Sequence, residues 1–170
     1  MTANHPYSVL FLCTHNSARS VMAESILNAI GAPTFRAYSA GSHPSGTINP
    51  HVRELLERSG HETDHLASKS LDSFTGPDAP VLDFVFTLCD QAAGETCPAF
   101  PGHPVTAHWP FPDPGQATGT HAEIGAAVAE VYRQIHTRIG IFINLPIAKL
   151  DRMSLQRRVR ELGSDPGSVA

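Results

Sequence analysis

The sequence has few cysteines, few aromatic residues and little charge of either sign. Cysteine occurs three times and tryptophan once in 170 residues, and Asp, Glu, Lys and Arg together make up 16%. Three cysteines are too few, and odd in number, for a disulfide framework, so we expect reactive or buried thiols instead. The low charge content, with 41% hydrophobic residues, indicates a globular chain rather than a disordered or coiled-coil one.

A basic excess and a membrane-spanning segment are also missing. Twelve Lys and Arg against sixteen Asp and Glu give a formal net charge of −4, which argues against a protein that binds a nucleic-acid groove. No apolar run approaches the ~20 residues that a membrane span needs. The first residues lack the basic and apolar regions of a secretory signal. We therefore expect a cytoplasmic protein with neither nucleic acid nor a membrane as its partner.

The length and the alternation of elements predict one α/β domain over residues 1–170, with a frayed tail from residue 164. A chain of this length corresponds to about one domain and buries a core without disulfides. Apolar runs predict strands, and periodic segments between and after them predict helices. The predicted strands are 7–12, 35–40, 81–88 and 105–109, and the predicted helices are 20–30, 49–60, 120–146 and 151–162. This order is typical of a small doubly wound four-stranded parallel sheet flanked by helices.

The segment after the first strand has the spacing of an oxyanion-binding loop. Cys13 and Arg19 are separated by five residues, between the end of a strand and the start of a helix. A loop that curls there directs backbone N–H groups and the positive end of the helix at a tetrahedral oxyanion. Arg19 closes such a cradle with two parallel hydrogen bonds, and the same field stabilises a thiolate at Cys13. The candidate oxyanion-binding residues are Thr14, His15, Asn16, Ser17, Ala18, Arg19 and Ser20.

Single residues of this segment have their own expected roles. Asn16 tolerates the left-handed backbone conformation and is expected to brace the loop. Ser20 is expected to donate a hydrogen bond to the thiolate. His15 either tunes the charge of the loop or faces solvent. The alternative for the whole segment is a buried, inert cysteine at a strand end followed by an arginine on a helix surface.

The segment 9–20 resembles the phosphate-binding loop of the low-molecular-weight tyrosine phosphatase superfamily, and the sequence looks most like the arsenate reductases of that superfamily. Further matches are 38–41 (Tyr-Ser-Ala-Gly), 87–90 with 97–98, and 108–114. The resemblance extends from about residue 7 to residue 145. It implies a low-molecular-weight phosphatase-like fold, in agreement with the predicted sheet.

The resemblance also implies a chemistry that needs all three cysteines. Cys13 is the nucleophile that attacks arsenate, and Cys89 and Cys97 are resolving thiols that pass the oxidation on to thioredoxin or another thiol donor. Cys89 follows the third strand, so topology brings it to the same sheet edge as Cys13. Cys97 is eight residues further on, and a Cys89–Cys97 disulfide therefore requires the segment to loop or unwind. The alternative is a buried cysteine at a strand end and an incidental cysteine in a loop.

Asp113 lies in a proline-rich loop after the fourth strand. Pro112 and Pro114 restrict the backbone on either side of it. The resemblance implies that Asp113 is the general acid that protonates the leaving oxygen. The alternative is that Asp113-Pro114 is an ordinary turn. The implied scheme needs no cofactor and no metal.

Two other functions stay open. The first is a tyrosine phosphatase that acts through a phosphocysteine. Pro114 is followed by Gly115 and Gln116 and not by an aromatic residue, which weakens this interpretation. The second is an oxyanion-binding or redox-sensing module without turnover. Trp109 is expected in the core rather than in the cleft. His61 and His65 are read as surface residues, and the arginines of the last predicted helix as a solvated face or a partner surface.

Overall fold

Strands and helices follow one another along the chain in the order that the sequence predicts. The computed structural model describes residues 6–88, 100 and 103–164. Among these residues the elements are β1 (Tyr7–Cys13), α1 (Arg19–Ile30), β2 (Phe35–Gly41), α2 (Pro50–Arg58), β3 (Phe84–Thr87), β4 (Val105–His108), α3 (His121–Ile143) and α4 (Arg152–Ser164). Short 3-10 turns lie at Leu71–Phe74, Pro114–Gln116 and Ile147–Lys149.

The four strands form one parallel sheet in the order β2-β1-β3-β4. In the register of this sheet Cys13 pairs with Gly41, Leu12 with Thr87, and Thr87 with His108. The carboxyl ends of all four strands therefore meet at one edge, where the binding sites of open parallel sheets lie. This arrangement confirms the predicted fold class.

The helix ends follow from local sequence signals. The Asn49 side chain accepts hydrogen bonds from the amides of His51 and Val52 at the start of α2. Thr120 and Glu123 form the predicted capping box at the start of α3. The helix α3 ends at Ile143, before Pro146, as expected for a residue that lacks an amide proton. None of the helices in the described part of the chain has both the length and the apolar character needed to cross a membrane.

The third strand is shorter than the predicted 81–88. The strand β3 comprises only Phe84–Thr87. Asp83, directly before it, bonds Ser8 twice: its carboxylate accepts the amide of Ser8 at 2.8 Å, and its own amide donates to the carbonyl of Ser8 at 2.8 Å. Val81 lies outside the sheet and is 63% exposed. Hydrophobicity alone therefore extended the predicted strand beyond its hydrogen-bonded part.

The sheet separates two hydrophobic clusters, because successive residues of a strand point to opposite faces. Val9 and Phe11 of β1 belong to the larger cluster with the helices. Leu10 and Leu12 belong to a smaller cluster on the other face. Trp109 is fully buried in the larger cluster and stacks on Phe86, with the ring centroids 3.9 Å apart. The prediction that Trp109 is a core residue is confirmed.

Candidate oxyanion site

The turn between β1 and α1 is built around Asn16. This residue has a φ of +48°, in the left-handed region that Asn adopts more readily than most residues. It is fully buried. Its Oδ1 accepts the amide of Lys69 at 2.7 Å, and its Nδ2 donates to Ser20 Oγ at 2.8 Å. Because the Ser20 oxygen accepts this bond, the Ser20 hydroxyl keeps its own proton for another acceptor.

The carbonyl groups of the turn point outward, toward residues 42–49. The donor and acceptor pairs are Ser42 N to Cys13 O at 3.2 Å, His43 N to Thr14 O at 2.8 Å, Ser45 N to His15 O at 3.0 Å and Asn49 N to Ser17 O at 2.9 Å. A planar trans peptide places the N–H of the next residue on the side opposite the carbonyl. The amides of Thr14, His15, Asn16 and Ala18 are thus directed away from residues 42–49, as an anion cradle requires.

The strand β2 supports the turn from below at Gly41. A Cβ atom added to Gly41 would lie 2.6 Å from the carbonyl oxygen of Thr14 and 3.0 Å from the amide nitrogen of Asn16. The first distance is too short for a real Cβ contact and the second is tighter than most, so the close approach of the two backbones favours glycine. In the sequence, the segment 38–41 stands out only by resemblance, and nothing local indicates this close approach of two backbones.

The helix α1 continues directly from the turn. Its N-cap is Ala18, which offers no side-chain acceptor, and its first turn contains no acidic residue. No side chain caps the first amides of the helix, and the positive end of the helix dipole favours an anion there. Cys13, at the opposite end of the turn, is 3% exposed. The arrangement places a buried thiol next to a cradle for a tetrahedral oxyanion.

Arg19 joins the turn to the loop that contains Asp113. The Arg19 side chain is 9% exposed, its Nη1 donates to the carbonyl of Phe111 at 3.2 Å, and its Nη2 lies 3.6 Å from Asp113 Oδ2. Asp113 Oδ1 accepts the amide of Gly115 at 2.8 Å and so caps the 3-10 turn Pro114–Gln116. The turn and the acid interpretations of Asp113 are thus compatible, since its two oxygens face different partners.

His15 and Lys69 lie at the outer side of the turn. The His15 side chain is exposed, and its Nδ1 lies 3.2 Å from the carbonyl oxygen of His43. The ammonium group of Lys69 donates to the carbonyl of Ala67 at 3.1 Å. These two side chains contact the loops around the turn, whereas Asn16 and Arg19 are buried within it.

Two buried charged residues, Arg138 and Glu24, were not predicted from the sequence. Arg138 of α3 is 4% exposed, and its guanidinium lies 5.2 Å from the centroid of the Phe111 ring. Glu24 of α1 is buried and accepts a hydrogen bond from Ser39 at 2.5 Å. An arginine or a glutamate within a helical pattern is usually solvated, so no sequence signal distinguishes these two.

Cys89 and Cys97 lie outside the described residues, and their predicted roles stay predictions. The residue before Cys89 is described. The amide of Leu88 donates to Leu12 O at 2.9 Å, and the carbonyl of Leu88 accepts the amide of Phe111 at 3.1 Å. Leu88 therefore lies between the end of β1, which is Cys13, and the loop that contains Asp113.

Comparisons with known proteins agree with this geometry. The family model described as low molecular weight phosphotyrosine protein phosphatase matches residues 8–152. The arsenate reductase of Bacillus subtilis (strain 168) is 36% identical over 134 residues, which are 79% of this chain and 93% of that protein. The resemblance found in the sequence is thereby confirmed.

Two solved structures are similar to this chain along most of its length. The crystal structure of an arsenate reductase from Archaeoglobus fulgidus DSM 4304 matches with a TM-score of 0.56 and 29% identity, over 78% of this chain and 98% of that one. A thioredoxin-dependent arsenate reductase of Corynebacterium glutamicum matches with a TM-score of 0.59 and 26% identity, over 85% of this chain and 65% of that one.

Proposed function

Because the chain belongs to the low molecular weight phosphotyrosine protein phosphatase family, we propose that it is an arsenate reductase that uses three cysteines in sequence. The observation that carries this proposal is the buried Cys13 at the base of an anion cradle, with Arg19 connecting the cradle to Asp113. The names of the similar proteins support arsenate as the substrate.

In the first step the Cys13 thiolate attacks the arsenic atom of bound arsenate. The amides of 14–19 and the Arg19 guanidinium hold the arsenate oxygens and stabilise the charge that builds up on them. A sulfur–arsenic bond forms, and the bond between arsenic and one hydroxyl oxygen breaks. Asp113 protonates this oxygen, so that water departs. The proximity of Asp113 Oδ2 to Arg19, at 3.6 Å, supports a place for the acid beside the bound oxyanion.

In the second step the Cys89 thiolate attacks the sulfur of Cys13. The electron pair of the sulfur–arsenic bond passes to arsenic, which is reduced from the +5 to the +3 state and leaves as arsenite. A Cys13–Cys89 disulfide remains. The hydrogen bond from the Leu88 amide to Leu12 O supports this step, because it brings the chain that leads to Cys89 beside the strand end that bears Cys13.

In the third step Cys97 attacks Cys89 and regenerates the Cys13 thiolate. The resulting Cys89–Cys97 disulfide is reduced by two electrons from thioredoxin or another thiol donor. The whole scheme consists of thiol exchange and uses no metal, flavin or nicotinamide on this chain. Since thiol donors of this kind maintain a reducing compartment, we place the reaction in the cytoplasm.

A tyrosine phosphatase remains the alternative, since the same cradle binds phosphate and the family takes its name from that activity. It would use Cys13, Arg19 and Asp113 through a phosphocysteine. Gly115 and Gln116, which follow Pro114, are exposed and not aromatic. Trp109 is fully buried in the core. These positions therefore offer no aromatic wall to a phosphotyrosine ring, and this weighs against the phosphatase.

The experiment that tests the proposal is arsenate-dependent NADPH consumption with thioredoxin and thioredoxin reductase. We expect consumption by the wild-type protein and none by Cys89→Ser or Cys13→Ser. Counting thiols after one equivalent of arsenate without reductant checks the same scheme, since two thiols should disappear per molecule.

The other functions give different results. Aryl phosphate hydrolysis by both wild type and Cys89→Ser, without NADPH consumption, would favour the phosphatase. If the thioredoxin system supports no turnover, glutaredoxin with glutathione replaces it as the donor. Arsenate or phosphate binding without turnover with either donor, and without ester hydrolysis, would favour the binding or sensing module.

A further inference from the structure

The last helix, α4, lies along the edge strand β4. At its start Arg152 donates to the carbonyl groups of His103 and Pro104, the latter at 3.4 Å. Eleven residues later Gly163 reaches His108. The helix α4 thus runs alongside residues 103–108, the segment that contains β4.

A side chain in the middle of α4 hydrogen-bonds to backbone groups of the edge strand β4. Gln156 Oε1 accepts the amide of Thr106 at 3.3 Å, and Gln156 Nε2 donates to the carbonyl of the same residue. An edge strand otherwise presents such groups to solvent or to another chain. Leu155 and Val159 of α4 are buried in the larger hydrophobic cluster. The helix is therefore part of the core and not an appended surface element.

The end of α4 contacts the last residues before the loop that bears Asp113. The indole N–H of Trp109 donates to the carbonyl of Val159 at 2.8 Å. A Cβ atom at Gly163 would lie 2.0 Å from the carbonyl oxygen of His108 and 2.8 Å from Cδ1 of Trp109. The backbone of the last helical turn is therefore packed directly against residues 108–109.

A short and stiff segment connects this contact to Asp113. Trp109 is also held by its amide, which donates to Thr87 O at 2.7 Å. Only three residues separate Trp109 from Asp113, and two of them, Pro110 and Pro112, have a fixed φ. The third, Phe111, is bonded to Leu88 and to Arg19. Because this segment has little conformational freedom, a displacement of residues 108–109 also displaces the carboxylate of Asp113.

We infer that α4 is a positioning element for Asp113, and that Gly163 is the residue through which it acts. The helix begins at residue 152, where the family match ends. The contacts of α4 with residues 108–109 therefore come from a part of the chain that follows the matched region. The inference depends on the proposed role of Asp113 as general acid. Neither α4 nor Gly163 touches the bound oxyanion in this scheme.

The test is Gly163→Ala, measured by single-turnover arsenate reduction. The added methyl group has no room, and it should push the end of α4 away from residues 108–109. Because a small misplacement of a catalytic group costs a large factor in rate, we expect the rate constant to fall about tenfold. The inhibition constant for inorganic phosphate should stay within about twofold of the wild-type value, since the anion cradle is built by other residues.

Gly140→Ala is the matched control. Gly140 lies in α3, and a Cβ atom there meets nothing within 4 Å. We expect wild-type rates for this variant, and circular dichroism and thermal unfolding check that both alanine variants are folded. If Gly163→Ala does not fold, Trp109→Phe replaces it, because phenylalanine keeps a ring against Phe86 but removes the donor to Val159.

The same substitution in an Asp113→Asn background separates positioning from a general structural effect. If α4 acts through Asp113, Gly163→Ala should cause little further loss there. An equal loss in both backgrounds, or no loss in the wild-type background, overturns the inference while the proposed function stands. If Asp113→Asn alone leaves the rate unchanged, the general-acid role fails, and this inference fails with it.

Discussion

At the scale of single residues, the site depends on backbone geometry as much as on reactive groups. Asn16 combines a left-handed backbone conformation with two side-chain hydrogen bonds in one buried position. Gly41 contributes only the absence of a side chain, which allows β2 to approach the turn. The buried Arg19 side chain contacts the carbonyl of Phe111 and the carboxylate of Asp113, and it thus connects the turn to the loop that contains Asp113.

The role of Gly41 can be tested by Gly41→Ala. The added methyl group would collide with the Thr14 carbonyl and displace the amides of the cradle. We expect phosphate, used as a substrate analogue, to bind at least about tenfold more weakly, which equals about 1.4 kcal/mol. Isothermal titration calorimetry measures this affinity. Gly76→Ala serves as the control, since a Cβ atom there meets nothing within 4 Å, and unchanged phosphate binding by Gly41→Ala would contradict the account of the turn.

The role of Arg19 can be tested by Arg19→Lys. Lysine keeps the positive charge but loses the planar fork that bonds two oxygens at once. We expect kcat/KM for arsenate reduction to fall about a hundredfold or more, because the fork serves the bound oxyanion as well as the Phe111 carbonyl. The measurement is the NADPH-coupled assay. Arg133→Lys, an exposed arginine of α3, should behave as wild type, whereas full activity of Arg19→Lys would exclude bidentate binding.

At the scale of elements, the start of α2 is connected to the oxyanion turn. The side chain of Asn49 caps α2, while the amide of the same residue donates to Ser17 O at 2.9 Å. One residue therefore ends the loop 42–49 and begins the helix. The side chain stabilises the helix, and the main chain stabilises the turn.

The substitution Asn49→Ala distinguishes the contribution of the side chain to the helix from the contribution of the main chain to the turn. The substitution removes the cap but keeps the backbone amide that bonds Ser17. We expect the free energy of unfolding to fall by about 1 kcal/mol, with phosphate affinity nearly unchanged. Urea unfolding and calorimetric titration measure the two quantities. A large loss of phosphate affinity with little loss of stability would show that the side chain, and not the main chain, orients the turn.

At the scale of the whole molecule, a hydrogen bond of 2.8 Å between His61 Nε2 and Tyr132 Oη connects the chain after α2 to α3. Partial burial is the main cause that lowers the pKa of His61, and the nearby His136 lowers it further. Burial also raises the pKa of Tyr132, in spite of a hydrogen bond with Ser59. The neutral forms of both rings are thus favoured in the folded protein.

This pair predicts a loss of stability in mild acid. Since the pKa of His61 is lower in the folded state, the unfolded state binds more protons, and stability falls as pH drops below about 6.5. His61→Gln should reduce this loss between about pH 7 and pH 5. Urea unfolding across that range measures it. His65→Gln, at an exposed position, should leave the pH dependence unchanged, and an identical slope for His61→Gln and wild type would contradict the prediction.

The sequence by itself determined the order of the elements and the position of the oxyanion turn. Apolar runs, helix caps and prolines act over a few residues, so strands β1, β2 and β4, the caps Asn49 and Thr120, and the spacing of Cys13 and Arg19 were readable without a fold. The extent of β3 was not, because it depends on pairing with β1, which is distant in the chain.

Only the tertiary structure determined which residues pack against the oxyanion turn and the loop that contains Asp113. The physical importance of Gly41, Arg138 and Gly163 comes from contacts with residues distant in the chain. These are the turn at Thr14, the ring of Phe111 and the carbonyl of His108. Such close approaches depend on how whole elements pack. A local sequence pattern reflects the conformational preferences of its own segment. It does not indicate which distant segment packs against that segment.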